Sequence, residues 1–397
     1  MSDIKKWKSA YKKLNNDEKK YSYLLETLSS ELSIQFLDDF DLIHYLISSF
    51  TYLEDAKEYE KMIVLYDIAY RWKMDNEEWY YCDAYLMDYY LYNNNLTGFN
   101  NHLDSFISNP AQSLDIFIPL FDKLLYYGHT DLALDISFRL FDKVKAAPRL
   151  ISGSEYQFGI IIYMQKFQDI YTDLKNNIPI GKKAIVRYLN KYDFNTKEYI
   201  DLTVDVLSPD YKELPGYDVY EKDISDLVHT LMLLFCRYML DTKNVNFATS
   251  YEIWDIVRES FQWYIPDTKA ELIFDKVFEL NTERYEGEIS GRLGFLSNKT
   301  TSGFGAAWGS IYVYDFLYKN EYISKKTYDH AIGVIYDLQH ELIEEYTNNL
   351  WKYEFVHTWG KPDSMSDEEY TFEKDLFRTS IAQIRDESNA AKPICKS

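Results

Sequence analysis

The sequence contains few residues that break helices, and few cysteines that could cross-link a small fold through disulfide bonds. Its 397 residues include only 14 glycines, 9 prolines and 3 cysteines. Scarce glycine and proline disfavour a β-sandwich with many tight turns, and they favour long helices joined by few breakers. The cysteines, Cys82, Cys236 and Cys395, lie far apart and form no C-x-x-C pair. They therefore predict neither a disulfide framework nor a zinc site, and they fit a reducing cytoplasm.

Long apolar segments are also missing. The longest apolar run, residues 231–236, is far shorter than the roughly 20 residues that a transmembrane helix requires. The amino terminus lacks the apolar core of a signal peptide. The sequence therefore predicts a cytoplasmic protein without a membrane partner.

Basic residues are outnumbered by acidic ones, 43 against 64, which gives a formal net charge of -21. A surface with this charge repels a nucleic-acid backbone, so direct binding of DNA or RNA is disfavoured. The same surface attracts cationic partners such as a basic protein or peptide. Ordinary solubility is the competing interpretation of the charge.

Apolar residues recur at the three- and four-residue steps of amphipathic helices. The clearest case follows Asn109-Pro110, a helix start signal, and runs to Gly128, which can form a left-handed helix cap. Pro119 lies inside this helix and predicts a kink. The periodicity predicts an all-α fold.

Turns between the predicted helices recur at a nearly constant interval. They fall at Lys57, Asn93, Gly128 and Gln165, with spacings of 36, 35 and 37 residues. A period of this length is typical of stacked helix-turn-helix units. The residues five positions beyond the turns, where paired helices approach closely, are Met62, Gly98, Ala133 and Ile170.

The segment Gly128-His129-Thr130-Asp131-Leu132-Ala133-Leu134 resembles the turn and second helix of the tetratricopeptide repeat, with a glycine and an alanine five residues apart. The resemblance covers residues 38–177 and describes a degenerate array, because the family's Trp-x-x-Leu-Gly signature is missing. It implies an α-solenoid whose groove holds a peptide or a protein segment.

The predicted organisation has four parts. N-terminal helices occupy residues 1–37, tetratricopeptide-like repeats 38–177, an irregular helical region 178–285, and a C-terminal helical region 286–397. The last part opens with a glycine-rich stretch, since six of the fourteen glycines fall within residues 287–309. This composition predicts either a flexible functional loop or helices that pack very closely.

Tyrosine is abundant, with 38 residues, and several of these side chains share one face of a predicted helix at residues 77–92. Tyrosine combines apolar area with a hydroxyl group and is typical of recognition surfaces. The predicted partner-binding residues are Tyr81, Tyr85, Asp88, Tyr89 and Tyr92. The alternative is that this face packs against neighbouring helices.

An enzyme, or an enzyme's accessory domain, with its site in residues 287–345 is the alternative prediction. Asp337, His340, Glu341 and Glu344 share one helical face, and such donors suit a divalent metal or acid–base chemistry. The second histidine of a zinc-protease motif is missing, so a solvated acidic face competes with this interpretation.

The stretch Gly303-Phe304-Gly305-Ala306-Ala307-Trp308 begins like a dinucleotide fingerprint but has tryptophan in place of the last glycine. With Arg292 and Lys299 nearby, an anion-binding loop is its functional interpretation. Close helix packing is its structural one.

The sequence as a whole predicts a non-catalytic, all-α scaffold without cofactor or metal. Its expected partner is a protein or peptide, in particular a basic one. Two biological roles fit this prediction. One is an adaptor or regulator that senses a peptide, and the other is an inhibitor, such as an immunity or anti-defence protein, that covers a basic nucleic-acid-binding site.

Overall fold

The all-α prediction is confirmed. A computed structural model describes residues 3–73, 78–194, 200–211, 224–263, 273–294 and 299–390. Within these ranges the chain is helical, and β-pairing is limited to an isolated bridge between Phe261 and Leu280.

The α-helices, in chain order, are α1 (Asp3–Lys12), α2 (Asp17–Ser29), α3 (Ile34–Asp38), α4 (Leu42–Asp55), α5 (Tyr59–Tyr70), α6 (Tyr80–Tyr92), α7 (Leu96–Ser108), α8 (Pro110–Tyr126), α9 (Thr130–Ala146), α10 (Tyr156–Lys175), α11 (Lys182–Leu189), α12 (Ile200–Leu207), α13 (Ile224–Lys243), α14 (Phe247–Arg258), α15 (Phe274–Val277), α16 (Thr282–Leu293), α17 (Thr300–Lys319), α18 (Lys325–Glu345) and α19 (Asp367–Ala390). Two 3₁₀ helices cover Asn190–Tyr192 and Leu350–His357.

The chain forms two compact units. Unit 1 contains residues up to 120 together with the end of α19 from residue 382, and unit 2 contains residues 121–381. The division at residue 120 falls inside α8 and inside the segment for which repeats are predicted. The four-part organisation at residues 1–37, 38–177, 178–285 and 286–397 remains a prediction.

Three of the four predicted turns are present and share one geometry. The residue with a left-handed backbone is Lys57 (φ 59°), Asn94 (φ 53°) and Gly128 (φ 80°), respectively. The next residue donates its backbone N–H to the carbonyl five positions earlier, over 2.8 Å in each of the pairs Glu58–Leu53, Asn95–Tyr90 and His129–Leu124. This is the Schellman cap. Because asparagine and lysine adopt it here as well as glycine, the chain forms helical hairpins with little glycine.

The fourth predicted turn, at Gln165, is wrong. Gln165 lies in the middle of α10, and its side chain donates to Asp169 over 2.9 Å on the same helix. Gln165 and Lys166 lie on the less buried face of α10. Their polarity is that of a helix surface and does not mark the end of a helix. Pro119 lies inside α8, which continues to Tyr126, and the kink at Pro119 remains a prediction.

The prediction of a flexible loop at residues 287–309 is wrong for the described residues, because α16 and α17 account for them apart from 294 and 299; residues 295–298 lie outside the described ranges. Close packing is confirmed in α17. A Cβ atom on Gly305 would lie 2.2 Å from Cε1 of Tyr126, and one on Gly309 would lie 2.6 Å from Cγ2 of Ile253.

Gly305→Ala is expected to destabilise the protein by about 1–2 kcal/mol, because the added methyl group overpacks the contact with Tyr126. Gly287→Ala, in the exposed middle of α16 where nothing lies within 4 Å, is expected to stabilise it by about 0.5–1 kcal/mol. Urea unfolding of both variants measures the difference. Equal effects of the same sign would contradict the packing role of Gly305.

Among the described residues, no helix has both the length and the apolar character needed to cross a membrane. The thiols of Cys82 and Cys236 are unpaired and buried, and burial raises the pKa of each. Cys395 lies outside the described residues. Buried thiols with raised pKa values are poor nucleophiles.

Candidate functional site

A buried carboxylate in unit 1 marks the strongest candidate site. Asp83 is only 3% exposed and lies on the core face of α6, one turn after Trp79 and one turn before Met87. Acidic side chains are rarely buried to this extent unless they are paired, because desolvating an ion is costly. The partners of Asp83 therefore define the site.

Two neighbouring helices supply those partners. The Tyr66 hydroxyl on α5 donates to Oδ1 of Asp83 over 2.5 Å, and Nδ1 of His102 on α7 lies 2.9 Å from the same oxygen. A carboxylate only accepts hydrogen bonds, so Nδ1 carries the proton in this contact. The indole of Trp79 donates to the Tyr66 hydroxyl over 3.1 Å. The four side chains form one connected network.

The network holds its members in fixed orientations. The His102 ring stacks on Tyr90, with centroids 5.9 Å apart and planes 23° apart, and meets the Tyr66 ring edge-on. Burial, and next the charge of Asp83, raise the pKa of the Tyr66 hydroxyl well above its ordinary value. Tyr66 therefore remains a hydrogen-bond donor at physiological pH.

This network forms part of the wall of a polar cavity of about 560 Å³ between α5, α6 and α7. Three carboxylates and one ammonium group line the cavity, together with aromatic and imidazole rings; these residues are Asp67, Asp83, Asp104, Lys73, Tyr66, Tyr70 and His102. With a neutral imidazole, the formal charge of the lining is negative. The ammonium of Lys73 lies 5.1 Å from the centroid of the Tyr70 ring, so this wall already accommodates a cation over an aromatic face.

The cavity lining contains an imidazole, carboxylates and two serine hydroxyls. An imidazole oriented by a carboxylate is the arrangement of a general base. The serines that line the cavity, however, donate to backbone carbonyls of their own helix: Ser105 to His102 over 2.8 Å and Ser108 to Asp104 over 2.7 Å. Among the described residues there is no group of three or more His, Cys, Asp or Glu side chains placed to hold a metal ion.

The tyrosines predicted to bind a partner lie on α6, and their contacts are with neighbouring helices. Tyr89 stacks on Tyr59 of α5, with centroids 4.7 Å apart, and the Tyr85 hydroxyl lies 2.8 Å from the Thr51 hydroxyl of α4. Tyr89 and Tyr92 are buried, whereas Tyr81, Tyr85 and Asp88 are half-buried. The Tyr92 hydroxyl donates to Asp88 over 3.0 Å. These contacts are those of the packing alternative, and a partner-binding role remains a prediction.

The residues of the alternative, enzymatic prediction lie on α18, and an enzymatic role for them remains a prediction. Asp337, His340, Glu341 and Glu344 are all exposed on α18, as a solvated acidic face requires. His340 lines a second cavity, of about 320 Å³, which it shares with mostly apolar residues. Residues 303–308 are buried inside α17, so they form no phosphate-binding loop.

The Asp83 site was missed because its members are 17 and 19 residues apart in sequence, on three different helices. One signal was present: Asp83 falls on the same helical face as Trp79, Tyr80 and Met87, where an apolar residue is expected. A carboxylate at a core position is an anomaly that calls for a partner.

No protein-family model, curated protein or solved structure matches this chain. The resemblance to the tetratricopeptide repeat therefore remains a prediction from sequence.

Proposed function

We propose that this protein is a non-catalytic binding module that recognises a basic segment of a partner protein. In this proposal the polar cavity beside His102 receives one lysine or arginine side chain of that segment. The observation that supports it is the cavity lining, in which Asp67, Asp83 and Asp104 face the same space as two tyrosines.

The chemistry of the lining favours a cationic side chain. A guanidinium group can donate two parallel hydrogen bonds to one carboxylate and stack on an aromatic ring. A cavity of about 560 Å³ falls within the range of roughly 300–1,000 Å³ that is typical of ligand pockets. The partner's side chain would therefore have enough room in this open cavity and would meet compensating charge.

The net charge of the whole chain also favours a basic partner. A net charge of -21 steers a basic partner toward the protein and raises the association rate at low salt. The two biological roles differ here. An inhibitor that covers a nucleic-acid-binding surface is expected to show an association rate that falls steeply with salt, whereas a peptide receptor keeps most of its affinity.

The test is the binding of a fluorescein-labelled hexa-arginine peptide to the full chain, measured by fluorescence anisotropy, with hexa-glutamate as the negative probe. The double variant Asp67→Asn/Asp104→Asn is expected to weaken binding about tenfold, because each of these exposed carboxylates contributes about 0.7 kcal/mol to a charge pair with the bound side chain. It leaves the hydrogen bonds of Asp83 to Tyr66 and His102 in place.

The matched control is Asp38→Asn/Asp39→Asn, which removes the same charge from exposed positions at the end of α3. This control is expected to keep the affinity within about twofold of the wild type, since exposed charges away from a site contribute little. If both double variants weaken binding equally, the peptide is held by diffuse charge and the cavity is not the site.

A further inference from the structure

Unit 2 contains a second cluster of charged side chains, built from α8, α10, α14, the end of α16 and the residue before α17. Asp122 of α8 is 9% exposed, and Nε2 of Gln157 on α10 donates to its Oδ1 over 2.9 Å. Glu252 of α14 is half-buried, and the charge of Asp122 contributes to raising its pKa. Arg292 and Lys299 act electrostatically on both carboxyl groups.

Two buried hydrogen-bond donors of this cluster have no protein partner in the described part of the chain. They are the hydroxyl of Tyr126 and the Nε–H of Arg292. Tyr126 is 2% exposed and lies one turn beyond Asp122, and Glu252, Asp122 and Arg292 act on its hydroxyl electrostatically. An unsatisfied buried donor costs about 1–3 kcal/mol, and such groups are rare in native proteins.

The position of the Tyr126 hydroxyl is fixed by packing. Helix α17 approaches the tyrosine ring so closely that a Cβ atom on Gly305 would lie 2.2 Å from Cε1. The ring also packs against Phe355, with centroids 5.1 Å apart. The hydroxyl is therefore held beside the charged groups, and its missing partner has to enter the cluster.

The carboxyl groups are neutral at mildly acidic pH. Burial raises the pKa of Asp122 to about 7, although Lys299, Gln157 and Arg292 act in the opposite direction. Burial, and then the charges of Asp122 and Asp255, raise the pKa of Glu252 to about 8, although the charges of Arg292 and Lys299 lower it. Below those values the carboxyls become donors. Arg292 also pairs with Glu288 on its own helix over 3.7 Å, and with Lys299 it still leaves the cluster with a net positive charge.

We infer that this cluster is a binding site for a small oxyanion, held by the Nε–H of Arg292 and the hydroxyl of Tyr126. Both unsatisfied groups donate hydrogen bonds here, so the missing partner is an acceptor. The guanidinium fork matches the oxygens of carboxylates, sulfates and phosphates. Gln157, Glu252 and Arg292 are half-buried, so solvent reaches part of each of these side chains.

The site differs from the cavity beside His102 in location and in the charge of its ligand. It lies in unit 2 and takes an anion, although the protein as a whole is strongly acidic. Raising the pH ionises Asp122 and Glu252, which removes two donors and adds two negative charges. Affinity for the anion is therefore expected to fall as the pH rises through about 7 to 8.

The test is calorimetric titration of the full chain with sulfate, acetate and phosphate at pH 6, against chloride at equal ionic strength. The pH comparison uses sulfate and acetate, whose own charge does not change between pH 6 and pH 9. At least one oxyanion is expected to bind at pH 6, and its affinity is expected to fall about tenfold or more at pH 9.

Variants separate this site from general anion binding. Tyr126→Phe keeps the ring and removes the donor, and it is expected to weaken binding about tenfold. Arg292→Gln is expected to abolish binding. Arg139→Gln, which removes the same charge from the surface of α9, is expected to leave it unchanged. Asp122→Asn/Glu252→Gln cannot ionise and is expected to keep binding at pH 9.

Three results would overturn the inference. They are no heat from any of the three oxyanions at pH 6, undiminished binding in Arg292→Gln, and binding that strengthens at pH 9. The first would show that water satisfies the buried donors, the second that the anion binds elsewhere, and the third that ionised Asp122 and Glu252 do not oppose the anion. None of these results bears on hexa-arginine binding at the cavity of unit 1, so the two proposals fail independently.

Discussion

Replacing Asp83 with alanine is expected to destabilise unit 1 by about 3 kcal/mol. The substitution removes the oxygen that accepts hydrogen bonds from Tyr66 and His102. Tyr66 and His102 would then lack this acceptor at a position that is buried, since Asp83 itself is 3% exposed. Trp79, which donates to Tyr66, belongs to the same network. Breaking a buried charged pair by removing one partner typically costs several kcal/mol, because the other polar groups lose their compensation.

Amide hydrogen exchange read by mass spectrometry measures this effect, since it reports the opening of α5, α6 and α7 within the full chain. Asp83→Asn is the matched control. It keeps the shape and one acceptor oxygen, and it is expected to cost about 1 kcal/mol. Hexa-arginine binding is expected to be lost in Asp83→Ala. Equal protection of α6 and α7 in the two variants would show that the hydrogen-bond network does not stabilise the site.

The hairpin turns could be predicted from sequence because their signal is local. A left-handed cap is most often a glycine or asparagine directly after a periodic apolar segment, and the pattern at Gly128 supplies both parts. Asn93 was predicted and Asn94 takes the left-handed conformation, a difference of one residue. The turn predicted at Gln165 is absent, because glutamine is as polar as a turn residue but does not readily adopt the left-handed conformation.

The glycine-rich stretch was ambiguous for a physical reason. A missing side chain permits unusual backbone angles and also permits close helix approach, and composition does not distinguish these uses. In the structure Gly305 and Gly309 permit close helix approach, whereas a Cβ atom placed on Gly287 or Gly291 would have no neighbour within 4 Å. Only the partner helix, which carries Tyr126, reveals which glycine is needed.

The candidate sites could not be predicted, because they depend on contacts between helices. Periodicity places Tyr85 and Tyr89 on one face of α6, but it does not show that Thr51 and Tyr59 cover that face. It likewise places Asp83 on the apolar face without identifying Tyr66 and His102 as partners. Sequence therefore predicted the helices better than the chemistry between them.

The double variant Asp122→Asn/Glu252→Gln is expected to be more stable than the wild type by about 3 kcal/mol at pH 9 and nearly equal to it at pH 4. In the folded protein the pKa values are raised to about 7 and about 8, whereas unfolded carboxyls titrate near 4. The folded state therefore holds protons that the unfolded state releases. The stability from these groups is complete below about pH 4 and is lost as the pH rises through 7 to 8.

Urea unfolding of both proteins at pH 4, 6 and 9 measures this difference, and comparison at each pH cancels the titration of other groups. The expected gain allows for solvent that reaches the half-buried Glu252. Glu286→Gln, on the exposed surface of α16, is the control and is expected to change stability little at any pH. If the double variant and the wild type keep parallel stabilities from pH 4 to pH 9, the two carboxyls have ordinary pKa values near 4 and are ionised at pH 6 and above. An oxyanion would then meet two negative charges beside Arg292, and the proposed pH dependence of its binding would have no physical cause.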